Sequence, residues 1–205
     1  MNEPNNTNDG NDAAISGETP IDPSGLKIKG ITTRSQLSDA EAQSIRPVLV
    51  KYLSRKPSRR IAPFDLDWCQ KLHREMFGAV WEWAGQIRTH DLNIGLTFSA
   101  IQENLAMLLA DLHAWPTFGM SPVEQAARLH FRAVQIHPFE NGNGRWSRML
   151  ANIWLKQNGH GVILWPEETI GVESKIRGEY ITAIRKADEG DLDWLLEIHR
   201  RFADG

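Results

Sequence analysis

The chain has 205 residues, 41% of them hydrophobic and eight of them tryptophan, which is enough for one folded domain with a buried core. A formal net charge of −3 excludes the global electropositive signature of a nucleic-acid or membrane-surface binder. Cys69 is the single cysteine, so there is no disulfide framework. With no apolar run of membrane-span length and no signal peptide, a cytoplasmic protein is expected.

Residues 1–24 are rich in Asn, Asp, Gly, Pro and Ser and are expected to form a disordered tail. The remainder, 25–205, reads as a single domain. Gly25 to Thr33 is expected to lie extended on its surface. Ser35 or Ser38 can cap a helix through Ala42, Ile45, Leu49 and Tyr52, which Pro47 kinks or splits. Arg55, Lys56, Arg59 and Arg60 form a basic cluster, read as a solvated interhelical loop rather than a nucleic-acid contact. Helix resumes near Asp65, with Leu66, Cys69, Leu72 and Met76 on one face.

Trp81 to Gly85 breaks the helical pattern, and the turn residues from Asp91 to Gly95 suit a hairpin within 86–98. Ser99 and Gln102 resemble a capping box for the next helix, through Ile101, Leu105, Leu108 and Leu112. Ser121-Pro122, with Glu124, opens another helix, which runs to His137. His130 and His137 share a face of it, but no third ligand stands at metal-site spacing. Asn158-Gly159 stops the helix that follows. Two more are expected, from about Val172 to Ala187 and from Asp191 to Phe202. The fold class is mostly α, with roughly seven or eight helices and one hairpin.

The stretch His137-Pro-Phe-Glu-Asn-Gly-Asn-Gly-Arg-Trp-Ser-Arg148 carries the chemistry. His137 can exchange a proton near neutral pH. Asn141 to Gly144 should form a tight loop, and Trp146, Met149, Leu150, Ile153 and Trp154 have helical periodicity. A glycine-rich turn that opens a helix presents unpaired N–H groups and the positive end of the helix dipole. Arg145 and Arg148, at i, i+3 spacing, would add two guanidinium groups on one face. This combination points to a polyphosphate ligand.

These residues resemble the signature of the Fic (Fido) family, His-x-Phe-x-[Asp/Glu]-Gly-Asn-Gly-Arg-x-x-Arg. His137, Phe139, Gly142, Asn143, Gly144, Arg145 and Arg148 match it, whereas Asn141 stands at the acidic position. Trp83-Ala84-Gly85, Arg88 and Thr89 are similar to the segment leading into the family's flap, and the core order matches from about residue 60 to 190. Ile31 to Arg34 and Ala187 to Asp191 resemble the subgroup called mobile mystery protein B, whose members accompany a helix-turn-helix partner on mobile elements.

The resemblance implies a Fic-type helical bundle with a β-hairpin flap over the active site. The implied activity is transfer of AMP from ATP to a Ser, Thr or Tyr hydroxyl of a target protein. His137 would be the base, Phe139 the loop anchor, and Arg88 and Thr89 part of the target-binding flap. Backbone N–H groups of Gly142 to Arg145, with Asn143, Arg145 and Arg148, would hold the phosphates, and Asn141 would be a neutral ligand for Mg²⁺. Two other readings stay open: a phosphotransferase with another donor, acting as a kinase-like toxin, and a catalytically weak interaction module. The family's inhibitory string, [Ser/Thr]-x-x-x-Glu-[Gly/Asn], is matched only by Ser99 to Asn104, where a helix cap explains it better. Thr169 and Glu173 have the spacing without the last position. Restraint by a separate antitoxin-like partner is therefore expected.

Overall fold

The computed structural model describes residues 23–166 and 174–203. Nearly all of the expected tail lies outside these residues, as do Thr169, Glu173 and the expected helix start at Val172. The described residues form seven α-helices: α1 (Arg34–Leu53), α2 (Leu66–Phe77), α3 (Ile101–Ala114), α4 (Pro122–Ile136), α5 (Asn143–Gln157), α6 (Lys175–Asp188) and α7 (Asp193–Arg201). None is long and apolar enough to cross a membrane.

The fold is built around α5, twelve of whose fifteen residues are buried. A helix buried almost all round must be enclosed by others. Its long neighbour is α4, while α1 and α2 cover another side. α6 and α7 pack on each other and on α4. Trp146 and Trp154 are fully interior, and each indole N–H still finds an acceptor: Cys69 O at 3.1 Å and Gln125 Oε1 at 2.9 Å. Burial of each ring contributes well over ~2 kcal/mol, and the satisfied N–H avoids a desolvation cost.

Several local expectations shift by a few residues, for physical reasons. α1 is a single helix whose capping box is Thr33 with Gln36, so neither Ser35 nor Ser38 caps it. Pro47 is exposed, and the carbonyl it leaves unpaired, on Gln43, is on the exposed side where water can serve it. α3 is entered through a 3₁₀ turn, Phe98–Ala100, and has no side-chain cap, so the Ser99–Gln102 box does not form. Ser121 does cap α4, and Asn158 with left-handed Gly159 ends α5. The basic cluster is a solvated loop: Arg55, Lys56, Arg59 and Arg60 are exposed around buried Pro57.

The expected β-hairpin flap is corrected. Residues 86–97 form an irregular loop without a strand ladder, and the described β pairing is limited to the bridges Leu26↔Trp81 and Ile163↔Ala203. The backbone groups of this loop go to side chains and to the α4 end, where Arg88 N–H meets Pro138 O and Leu96 N–H meets Ile136 O, instead of to an opposite strand. Arg88 donates to the carbonyls of His90 and Leu96, and Asp91 Oδ1 accepts from Phe98 N–H at 2.7 Å.

Candidate active site

α4 stops at His137, which adopts a left-handed conformation (φ 53°, ψ 61°). That conformation is uncommon for a non-glycine residue and turns the chain sharply into the loop 138–142. The imidazole is 9% exposed. Burial, with the Arg88 charge adding to it, pushes its pKa down to about 4, against a bond to the Val134 carbonyl that pulls upward. At neutral pH the ring is therefore neutral. A neutral imidazole carries a proton on one nitrogen and keeps a lone pair on the other.

The loop beyond His137 is held from three directions. Asn143 closes it from within: its Oδ1 accepts from Phe139 N–H at 2.9 Å and its Nδ2 donates to Phe139 O at 2.8 Å. The Asn143 side chain is thus committed to the loop, which corrects its expected role as a phosphate-binding side chain. Its backbone N–H remains at the helix N-terminus. Phe139 is completely buried against Trp146 and His73.

His73, on α2, is a site residue that the sequence pattern did not reveal. Its ring stacks on Phe139 at 3.7 Å. Its Nδ1 accepts from Gly85 N–H at 2.9 Å, so Nε2 must carry the proton that it donates to Asn141 O at 3.0 Å. Complete burial pushes its pKa down to about 3, so this neutral tautomer persists at physiological pH. The signal for it was an apolar-facing histidine in α2, which a hydrophobic-periodicity reading passes over.

Gly142 is the N-cap of α5, with φ 79° and no side chain to satisfy the N–H groups of the first turn. A Cβ here would come within 2.7 Å of the Phe77 ring, so glycine is required both by conformation and by space. The N–H groups of Asn143, Gly144 and Arg145 form the first turn, a ready anion site.

The two arginines diverge rather than share a face. Arg145 pairs with Glu41 Oε2 of α1 at 2.8 Å and lies over Phe77 at 4.9 Å. Glu41 is 3% exposed, and its other oxygen accepts from Trp81 Nε1 at 2.7 Å. Arg148 turns to the opposite side, above the rings of Trp165 at 5.9 Å and Tyr180 at 5.7 Å. A Cβ on Gly144 would lie 3.4 Å from an Arg148 guanidinium nitrogen, which places that head group beside the loop.

Arg88 was expected to face a target, and its geometry says otherwise. It is 3% exposed, and its Nε donates to His137 O at 2.8 Å while the other nitrogens reach His90 O and Leu96 O. Its own N–H donates to Pro138 O at 3.0 Å. Arg88 is therefore a strut between the flap and His137. A Cβ on Gly95 would collide with His137 Cβ, so the flap crosses directly over the histidine. Thr89 is exposed on the outer side of this loop.

Asn141 Oδ1 accepts from Gly142 N–H at 2.6 Å, so the metal-facing role expected for it has a competitor within the loop. One lone pair remains on that oxygen. Among the described residues, no group of three or more His, Cys, Asp or Glu side chains could hold a metal ion. His130 likewise does not meet His137. It lies 3.4 Å from His199 and 3.0 Å from the Tyr180 hydroxyl.

Fold and site together define an α-helical domain with a neutral histidine beside a helix N-terminus that no side chain caps. Residues 63–155 match the Fic/DOC family. Similar proteins include protein adenylyltransferase fic-1 of Caenorhabditis briggsae, 30% identical over 189 residues that cover 90% of this chain and 35% of the relative. Protein adenylyltransferase Fic of Drosophila ananassae is 32% identical over 60% of this chain and 24% of its own length. The chain thus spans about a third or less of these curated relatives. Among solved structures, Fic-1 (residues 134–508) of C. elegans superposes with a TM-score of 0.61 at 26% identity, over 87% of this chain and 52% of that one. BepC of Bartonella tribocorum, solved with bound AMPPNP, gives 0.63 over 85% and 90% of the two chains; at 19% identity it supports the fold.

Proposed function

We propose that the domain is a protein adenylyltransferase, transferring AMP from ATP to a Ser, Thr or Tyr hydroxyl of a target protein. The observation that carries this reading is the placement of a buried, neutral His137 on the same short loop as the α5 N-terminus. A hydroxyl is a poor nucleophile until its proton is removed. His137 would take that proton as the oxygen bonds the α-phosphorus and the bond to the β-phosphate bridging oxygen breaks, releasing pyrophosphate. N–H groups of Asn143, Gly144 and Arg145 would cradle the phosphates. Arg148, with the Arg145 donors left over by Glu41, would offset charge on the leaving pyrophosphate.

The donor set fits Mg²⁺ carried in on the triphosphate better than a preformed protein cage. Asn141, with its remaining lone pair, would give one neutral oxygen, and the ion when bound would neutralise phosphate charge. Glu140 is beside it, but its Oε2 lies 3.4 Å from His90 Nε2.

The same reading places the protein in the cytoplasm, under the control of a separate antitoxin-like or helix-turn-helix partner. What supports outside restraint is that Glu103, the acid of the inhibitory-type string, is exposed on α3, and Asn104 caps back on Ala100 O at 2.9 Å. Parallel incubations with ATP radiolabelled at the α or the γ phosphate, using cell lysate as target, test the transferred group. Protein label from the α position alone supports AMP transfer. Label from γ alone would replace it with the phosphotransferase reading, which the neutral Asn141 favours.

A further inference from the structure

Beyond the signature, α4, α6, α7 and the segment before residue 167 enclose a group of titratable side chains that the proposed chemistry does not use. His199 Nδ1 lies 2.8 Å from Leu195 O, so that nitrogen must carry the proton. Both His199 and His130 are completely buried, which favours the neutral ring in each. A neutral His199 then presents a lone pair at Nε2, and His130 Nδ1, 3.4 Å away, must donate to it. That leaves His130 Nε2 as an acceptor, and the Tyr180 hydroxyl donates to it at 3.0 Å. Every hydrogen in the chain Tyr180–His130–His199–Leu195 has one consistent direction.

The rings are fixed by the same network. Tyr180 stacks on His130 at 20° between planes, and Trp165 meets both histidines edge-on, at 5.1 and 5.0 Å. Arg148 stands over these two anchored aromatic rings, both within the ~6 Å range of a cation–π contact. The two rings hold the guanidinium beside the α5 N-terminus, where one of its nitrogens would lie 3.4 Å from a Cβ on Gly144.

We propose that Trp165 and Tyr180, locked by His130 and His199, are positioning residues that seat Arg148 for the terminal phosphates of the nucleotide. Trp165, Tyr180 and His199 all lie outside residues 63–155, which match the family. The C-terminal helices thereby become part of the phosphate site rather than a cover on the core. This inference rests on the phosphate-binding half of the proposed function and not on which group is transferred.

The test is calorimetric titration of ATP, inorganic pyrophosphate and AMP into wild type, Arg148→Ala, Tyr180→Leu and Tyr180→Phe, with melting temperatures recorded for each. Tyr180→Leu removes the ring and is expected to lower ATP and pyrophosphate affinity at least tenfold, about 1.4 kcal/mol, with AMP within twofold. That pattern should match Arg148→Ala. Tyr180→Phe keeps the ring and loses the bond to His130, so its ATP loss should be smaller and its fold retained. Tyr180→Leu binding ATP within twofold of wild type would overturn the proposal. So would an equal loss for all three ligands, which marks a merely structural role. Failure of AMP transfer would appear separately, as wild type that binds ATP but leaves no α-phosphate label on protein.

Discussion

Replacing Arg88 with methionine separates a strut from a target contact. The substitution keeps an unbranched stem but removes the donors that reach the carbonyls of His137, His90 and Leu96. A hydrogen bond from a charged group contributes about 1.5–3 kcal/mol, and a buried acceptor left unpaired costs a similar amount. His90 is exposed and Leu96 lies on the flap, so water can serve those two carbonyls in the variant. His137 is 9% exposed, and its carbonyl cannot be served so easily. The net loss is therefore set mainly by one bond, with fractions of two others: about 3 kcal/mol. For a chain of this size that lowers the melting temperature by roughly 6–12 °C. Release of the flap and of the left-handed His137 backbone should also lower transfer to every target alike, including self-modification. Thermal denaturation with transfer rates on two targets measures both effects. A variant that melts within 2 °C of wild type and loses only affinity for a target would refute the strut and restore the target-contact reading.

Other outcomes follow from the same geometry. His137 is held down to about 4, so transfer rate should stay flat from pH 8 to 6 and fall only as pH approaches 4; a decline already between pH 7.5 and 6 would contradict the buried neutral base. His73, His137 and His199 all have folded pKa values below the ordinary 6.5, at about 3, 4 and 4, so the unfolded chain binds more protons below pH 6.5. Stability should accordingly fall as pH drops from 6.5 towards 4, each histidine adding up to about 1.4 kcal/mol per pH unit; urea midpoints that do not change over that window would count against it. Glu41→Gln keeps an acceptor for Trp81 and removes the charge facing Arg145. It should cost about 1–3 kcal/mol of stability yet raise ATP affinity, and a drop in affinity would mean that Glu41 aims the arginine. Asn141→Asp should shift half-maximal Mg²⁺ downward by roughly five- to thirty-fold if that oxygen meets the ion, whereas a lower plateau with no shift would remove Asn141 from the metal.

The parts of the fold legible in the sequence were those governed by local chemistry. Asp65 and Ser121 cap where a short polar side chain precedes an apolar period, and Gly142 opens α5 because only glycine combines that φ with contact against Phe77. What escaped depended on which partner a polar side chain takes, whether near or far along the chain. The turn residues of the flap suit a hairpin, but the Arg88 and Asp91 side chains and the carbonyls of Ile136 and Pro138 take its backbone groups. Asn143 was read as facing phosphate, although Phe139, four residues earlier, takes both ends of its amide. His73 reaches Asn141 across 68 positions, and Glu41 reaches Trp81 across 40. No spacing rule reports such pairs. The divergence of Arg145 and Arg148 has the same origin, since Glu41 draws one guanidinium and the Trp165–Tyr180 rings hold the other.

The central claim is that His137 acts on the hydroxyl and not on the nucleotide. It is tested most directly by measuring ATP affinity and α-phosphate transfer on one preparation each of wild type and His137→Ala. ATP affinity should stay within about twofold of wild type while transfer falls by 10²–10⁴-fold, the range that a positioned base contributes. Transfer by His137→Ala at a rate comparable to wild type, with ATP binding intact, would contradict it.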